Sequence, residues 1–363
     1  MDSFAFIIHP IDPKRDIARK YPLLARLVND WIIYHVAPHF PAVYLSEVDG
    51  IVSTSTGKQI KGWLIACPLT PKHFMQLPEK QVYRKIIETG RLAEKLGAKI
   101  LGLGAYTSVV GDAGKTVARE LEIPVTTGDA YTVSIAVQAV ERAAQEMEIS
   151  LPGATAAVVG ATGAIGRACS AMLSRSVGEL YLVARHQTDL ESLREQLMAQ
   201  GCRARLHTST QMNVLGQAQM ILTVTSSMQA VIGPEDLQPG SVICDVSRPR
   251  DVSSRVAELR DDVLVIDGGM VQVPGKVDFH FDFGFPPTKA YACMAETMAL
   301  ALEGRFEDYT LGKDIKLERV EEITRIATRH GFQLSGFRSF DKAVTAEDIE
   351  RIRRNAVRNF RHS

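Results

Sequence analysis

Residues 155–166 read TAAVVGATGAIG, an apolar run from Thr155 to Val159 that passes straight into Gly160-Ala161-Thr162-Gly163-Ala164-Ile165-Gly166. A strand feeding a glycine-rich turn and then a helix is the arrangement that holds a pyrophosphate. Glycine lets the backbone approach the anion, while free helix N–H groups and the helix dipole attract it. The spacing is GxxGxxG rather than the commoner GxGxxG, and a glycine-rich structural turn is the plainer alternative. A second apolar run, Leu180–Ala184, follows at the distance expected of a βαβ unit and favours a dinucleotide. That run ends in Arg185, where an acidic residue would take the ribose of NAD; an arginine suits the 2′-phosphate of NADP. The expected cofactor is therefore NADPH, with a solvated loop residue as the alternative for Arg185.

Working outward, apolar β-branched runs recur at 155–160, 180–184, 219–225, 241–246 and 263–266, with helical patterns between several of them. This alternation marks a parallel sheet with crossover helices. On the other side, Pro152-Gly153 breaks a helical pattern covering 129–148. Earlier still come a strand at 3–9, a helix at 14–36 with Ile17, Leu24, Leu27, Val28, Trp31 and Ile32 on one side, hairpins around Asp49-Gly50 and Thr56-Gly57, and a strand in Lys99–Ala105. Beyond Asp267 a Gly/Pro-rich loop leads to helices near 289–303, 315–330 and 345–360. The expected fold is α/β: a central Rossmann-type doubly wound parallel sheet, a mixed α/β N-terminal domain and a helical C-terminal part. The boundaries are set at 1–150, 151–285 and 286–363, with the last part packing back on the first.

Composition narrows the class. The chain has 363 residues, 45% hydrophobic and 23% charged, which excludes disordered, collagen-like and coiled-coil proteins. Forty-two basic residues balance forty-two acidic ones, so no overall charge favours nucleic acid. Five cysteines lie far apart, at 67, 169, 202, 244 and 293, with no CxxC pair. Reduced thiols in a cytoplasmic setting are expected, without a metal site, a secretory leader or a membrane-spanning run.

Three further signals are weak. Gly114-Lys115-Thr116 imitates a nucleoside-triphosphate loop, but Val109 stands where that loop needs glycine. His280 and Asp282 alternate along Val277–Phe283 and could form an acid–base pair, although a half-exposed strand explains them as well. Arg351, Arg353, Arg354, Arg358 and Arg361 flank an apolar line of Ile352, Ala356 and Phe360. Such a basic amphipathic helix suits an acidic partner or peripheral membrane contact; docking of its apolar line on the fold is the preferred reading.

Six segments, in order, carry a resemblance: LGAYTSVV (103–110), PVTTGDAYT (124–132), AVVGATGAIG (157–166), IDGGMV (266–271), AYACMAETMALALEG (290–304) and ATRHGF (327–332). Together they resemble the long-chain fatty acyl-[acyl-carrier-protein] reductases, with Asp129 standing where that family has Asn. The resemblance implies reduction of an acyl carrier protein thioester (or acyl-CoA) by NADPH to a fatty aldehyde, with acyl carrier protein and an aldehyde-consuming enzyme as partners. It also implies that Cys293 is the nucleophile, and it makes the N-terminal domain the acyl-binding one.

Reducing a thioester to an aldehyde needs a new activated acyl group, which a cysteine forms at little free-energy cost because one thioester replaces another. For that role the thiol pKa should be lowered. Thr288 is a candidate N-cap for the helix holding Cys293, and the dipole and Lys289 would both favour thiolate. Read without the resemblance, a cysteine between Ala292 and Met294 is more often a core residue. Tyr106, Thr107, Ser108, Thr127 and Gly128 lie at strand ends, where they could hold the acyl carbonyl or simply cap helices. Thr225 follows a strand at the edge where cofactors bind, and Gly268-Gly269 either admits the nicotinamide or forms a turn. Two other functions compete: a shikimate/quinate-type dehydrogenase, faintly suggested by Pro68–Lys72, and a non-catalytic NADP-binding protein that engages a partner through its tail.

Overall fold

The computed structural model describes residues 1–20, 23 and 29–360. Leu24, Leu27, Val28 and Arg361, named above, lie outside the described residues. Two compact units are present: residues 1–131 with 271–333, and residues 132–270 with 334–363.

In the first unit, strands β1 (Asp2–Ile8), β2 (Val43–Val52), β3 (Gln59–Ala66), β4 (Leu101–Leu103) and β5 (Val125–Thr126) share one sheet with a later strand, Gly275–Asp278. Its order places Gly275–Asp278 at one edge, then β2, β3, β1, β4 and β5. The β3, β1, β4 and β5 strands run parallel, β2 pairs antiparallel with β3, and Gly275–Asp278 pairs antiparallel with β2. Phe4, Ala5, Phe6 and Ile7 are all buried, as expected for a strand covered on both faces. The helix Glu79–Leu96 packs Val82, Ile86 and Ala93 against Ala5, Ile7 and Ile65. A second helix, Ala292–Glu303, packs against β1 and β4 and is buried nearly all round. Its apolar sequence admits no solvent-facing stripe.

The second unit holds β6 (Thr155–Val159), β7 (Glu179–Val183), β8 (Arg205–Ser209), β9 (Met220–Thr223), β10 (Val242–Asp245) and β11 (Leu264–Asp267). All pair in parallel, in the order β8-β7-β6-β9-β10-β11. This is the doubly wound Rossmann order, and the expected fold class is observed. Strand β8 has no counterpart in the sequence reading. Its residues RLHTS are exposed or half-buried at the sheet edge and lack an apolar run.

The units divide the chain differently from the sequence boundaries. Residues 271–333 group with the N-terminal sheet, whereas residues 334–363 group with residues 132–270, the unit that holds the Rossmann sheet. Polar contacts account for this. On the tail helix Ala346–Phe360, Arg353 pairs with Glu148, Asn355 donates to Asp261 and Asn359 donates to Asp262. Ile349 and Ala356 are buried, but Phe360 is exposed, so the apolar line docks only in part.

Candidate active site

Two sites are built, one in each unit. In the second, Gly160 adopts φ +82 as β6 ends, and Gly163 caps the helix Ala164–Leu173. A Cβ at Gly166 would stand 2.1 Å from the Gly160 carbonyl oxygen, so the helix start and the turn interlock only with glycine there. No side chain caps this helix, which leaves its first N–H groups for an anion. Arg167 donates to the Thr162 carbonyl at 2.9 Å and holds the loop. Arg185 is exposed beyond β7, and no hydrogen bond or ion pair occupies its guanidinium among the described residues. This cradle fits a dinucleotide pyrophosphate.

The remaining cofactor candidates sit at the carboxyl edge of the sheet, with their polar groups already engaged. The Thr225 amide and hydroxyl both donate to Asp251, which also accepts from Thr223 and Ser247. Gly268 leaves no room for a side chain, since a Cβ there would meet Val246 at 2.8 Å. Gly269 turns the chain at φ +77 into open space. Nearby, burial pushes Asp245 up to about 7, while the Val252 and Ser247 amides and Arg248 temper the rise.

In the first unit, Thr126–Asp129 (TTGD) meets the start of the helix Ala292–Glu303. Gly128, at φ +77, lies so close that a Cβ would stand 2.3 Å from the Cys293 Cα. Glu296, one turn after Cys293 and fully buried, fixes the loop. It accepts from the Thr126 hydroxyl (2.5 Å), the Thr310 hydroxyl (2.9 Å) and the Tyr131 amide (2.8 Å). Burial raises its pKa, and these donors temper the rise. Thr127 donates its hydroxyl to the Thr310 carbonyl at 2.9 Å. Burial and the neighbouring Glu296 push Asp129 up to about 7.

Cys293 is half-buried at the second position of its helix. Its thiol is not activated as expected: burial first, then the Asp129 and Glu296 carboxyls, push it up to about 12. The expected cap is also absent. Lys289–Tyr291 is a strand, the helix begins at Ala292, and Thr288 sits at φ +66 with its hydroxyl on the Pro287 carbonyl. Burial and the two carboxyls therefore outweigh the Met294 and Cys293 amides at the helix start, which favour the thiolate. The other four cysteines are free as well, and Cys67 is fully buried.

The sequence candidates divide. Thr127 and Gly128 come together with Cys293, whereas Thr107 and Ser108 spend their hydroxyls on the Gly104 and Ala105 carbonyls. Tyr106 is buried against His9 and Phe74. Sequence reasoning missed Glu296, Thr126 and Thr310. A lone acidic residue in the apolar helix ACMAETMALAL was the available signal. His280 faces Asp49 at 3.0 Å rather than Asp282, whose carboxylate accepts from the Gly284 amide. Lys72, in the stretch suggestive of a shikimate loop, lies over the Tyr34 ring, with no carboxylate partner among the described residues. Among the described residues no cluster of three or more metal-ligating side chains occurs, and no helix is long and apolar enough to cross a membrane.

A parallel sheet in Rossmann order with a glycine-lined cradle is built to hold a dinucleotide, and the dehydrogenase family model and the reductase relative place the chain among nicotinamide-dependent oxidoreductases. The family model for shikimate / quinate 5-dehydrogenase matches residues 141–267. A long-chain acyl-[acyl-carrier-protein] reductase of Synechococcus elongatus is 32% identical over 302 residues, 79% of this chain and 86% of that protein. The chain belongs to the family of that reductase. The aminotransferase PigE of a Serratia species is 30% identical over 84% of this chain, which spans 36% of PigE. Among solved structures, L-tryptophan dehydrogenase from Nostoc punctiforme covers 99% of this chain and 89% of its own, at 12% identity and a TM-score of 0.41. Quinate dehydrogenase from Corynebacterium glutamicum in complex with NAD covers 90% and 98%, at 11% identity and a TM-score of 0.38. At these scores neither structure bears on function.

Proposed function

We propose that this protein reduces a long-chain acyl thioester, carried on acyl carrier protein or CoA, to a fatty aldehyde at the expense of NADPH, through an acyl thioester on Cys293. The observation that carries the reading is the close approach of Gly128 to Cys293, which sets a half-exposed thiol beside two buried carboxyls. A protonated thiol needs a base when it attacks. Asp129, held near neutrality, accepts that proton, and the thiolate sulfur bonds to the acyl carbonyl carbon. The C–S bond to the carrier breaks, and Asp129 returns the proton to the departing thiolate. NADPH, when bound, supplies the hydride that reduces the acyl group. Collapse of the resulting hemithioacetal anion releases the aldehyde and the Cys293 thiolate, which takes up a proton from solvent to regenerate the thiol.

Gly160, Gly163, Ala164, Ile165 and Gly166 hold the pyrophosphate in this reading, with Thr162 in the loop and Arg185 on the 2′-phosphate. Thr225, Gly268 and Gly269 shape the cofactor edge, Thr225 through Asp251. Thr127 and Gly128 position the acyl carbonyl, and Tyr106, Thr107 and Ser108 support the sheet end from which that loop departs. Residues 1–131 with 271–333 then form the acyl-binding unit.

The test is intact-protein mass spectrometry after incubation with hexadecanoyl thioester in the absence of NADPH. A single acyl adduct on Cys293, discharged as aldehyde when NADPH is added, is the expected result. NADPH oxidation with dehydroshikimate and with no thioester would move the function to the shikimate/quinate class.

A further inference from the structure

The helix Glu79–Leu96 carries charges that the proposed chemistry leaves unused. Its buried side holds Val82, Ile86, Thr89, Gly90 and Ala93. Opposite these, Lys80, Arg84, Arg91 and Lys95 are exposed. With 3.6 residues per turn, the four fall within an arc of about 60° and span about 22 Å of helix axis. No hydrogen bond or ion pair holds any of them among the described residues. The intervening cation, Lys85, is different: it is spent on Glu88 at 2.7 Å and on the Phe40 carbonyl at 2.9 Å.

The stripe borders a shallow cavity of about 1100 Å³, whose floor includes Pro41, Pro78, Ile87 and Leu92. Three acidic groups also line it, and two are engaged. Glu79 shares the Tyr83 hydroxyl, and Glu88 holds Lys85 and faces the Ala42 amide; Glu120 stands exposed at the rim. The chain as a whole is neutral, so this positive surface is a local feature. It is also joined to the Cys293 site within one unit. Thr116, on the cavity wall, lies two residues from Gly114, where a Cβ would contact Thr127 at 3.4 Å. Thr127 precedes the glycine that packs on Cys293.

We propose that Lys80, Arg84, Arg91 and Lys95 dock an acidic helix of the carrier protein that brings the acyl thioester to Cys293; this rests on the acyl-thioester reductase reading above. Charge complementarity favours that occupant. A row of unpaired cations along one helix matches a row of carboxylates on another, and such pairs act mainly on the association rate.

The experiment compares the parent with Lys80→Glu/Arg84→Glu/Arg91→Glu/Lys95→Glu, all exposed positions, on hexadecanoyl-[acyl carrier protein] and on hexadecanoyl-CoA. We expect kcat/KM for the carrier-bound substrate to fall about tenfold or more, with the CoA value unchanged. Half-molar salt should produce the same loss in the parent. No loss, or an equal loss on both substrates, overturns the docking proposal. Should the parent turn over neither thioester, the reductase reading fails, and titration with unacylated carrier protein still decides the surface. Binding by the parent and not by the variant supports it; absence of binding by the parent overturns it. Charge-dependent binding to phosphatidylglycerol vesicles, with unchanged carrier kinetics, overturns it in favour of a lipid surface.

Discussion

Gly128 and Cys293 occupy one another's space: at φ +77, any side chain at 128 would lie 2.3 Å from the Cys293 Cα and 2.6 Å from its carbonyl oxygen. The contact joins a loop at the end of β5 to the start of a buried helix, and neither backbone has a cheap way to yield. Gly128→Ala should therefore cost about 3 kcal/mol or more, combining left-handed strain with a backbone clash. Thermal unfolding measures this, and an unchanged melting temperature would contradict the packing described.

Cys293→Ala removes the only thiol that the helix start presents beside Gly128. It should abolish both the acyl adduct and aldehyde formation, and Cys293→Ser should be nearly as inactive because an alkoxide is far harder to form. NADPH affinity, read by fluorescence titration, should stay close to the parent's, since the glycine cradle is untouched. Aldehyde formation by Cys293→Ala near the parental rate would mean direct hydride transfer to the bound thioester.

Asp129→Asn tests the electrostatics of the site. The Asp129 carboxylate helps to push the Cys293 thiol up, so its removal should move the alkylation profile with iodoacetamide to lower pH by about one unit. Stability carries a definite sign. In the folded protein Asp129 keeps its proton up to about 7, whereas in the unfolded chain it ionises near 4. The folded state thus binds more protons between these values, and its stability falls as pH rises through that window. The variant lacks this slope and should gain on the parent from pH 4 to 7, by about 4 kcal/mol at the upper limit. Parallel unfolding curves for the two proteins at pH 5 and pH 8 would contradict the assignment.

Arg185→Ala and Gly166→Ala separate cofactor choice from cofactor binding. Loss of the free guanidinium should raise KM for NADPH about tenfold while leaving NADH nearly unaffected. A Cβ at 166, 2.1 Å from the Gly160 carbonyl oxygen, should weaken both cofactors together. Equal weakening of NADPH and NADH by Arg185→Ala would remove the arginine from the 2′-phosphate.

The Rossmann half was legible because local pattern and tertiary role coincide there. An apolar run such as Ala156–Val159, bounded by Pro152-Gly153 and Gly160, suits a doubly covered strand, and a glycine at 160 followed by a helix start defines its own turn. Strand β8 escaped because an edge strand has no need of apolar residues. Cys293 could be nominated from the sequence as a candidate, but its protonation state could not. Helix position and Lys289 pointed towards a thiolate. What decides the matter is burial, with Asp129 and Glu296 adding to it, and all of these are set by packing. Glu296 lies in the same helix and Thr310 only 14 residues beyond it, but Asp129 and Thr126 reach the site from a segment distant in the chain. The sequence by itself determined the parallel sheet and the glycine cradle, and it offered the thiol as a candidate. Only the tertiary structure decided which charges surround that thiol and which sheet the tail joins, because desolvation and Coulomb interactions depend on distance in space rather than along the chain.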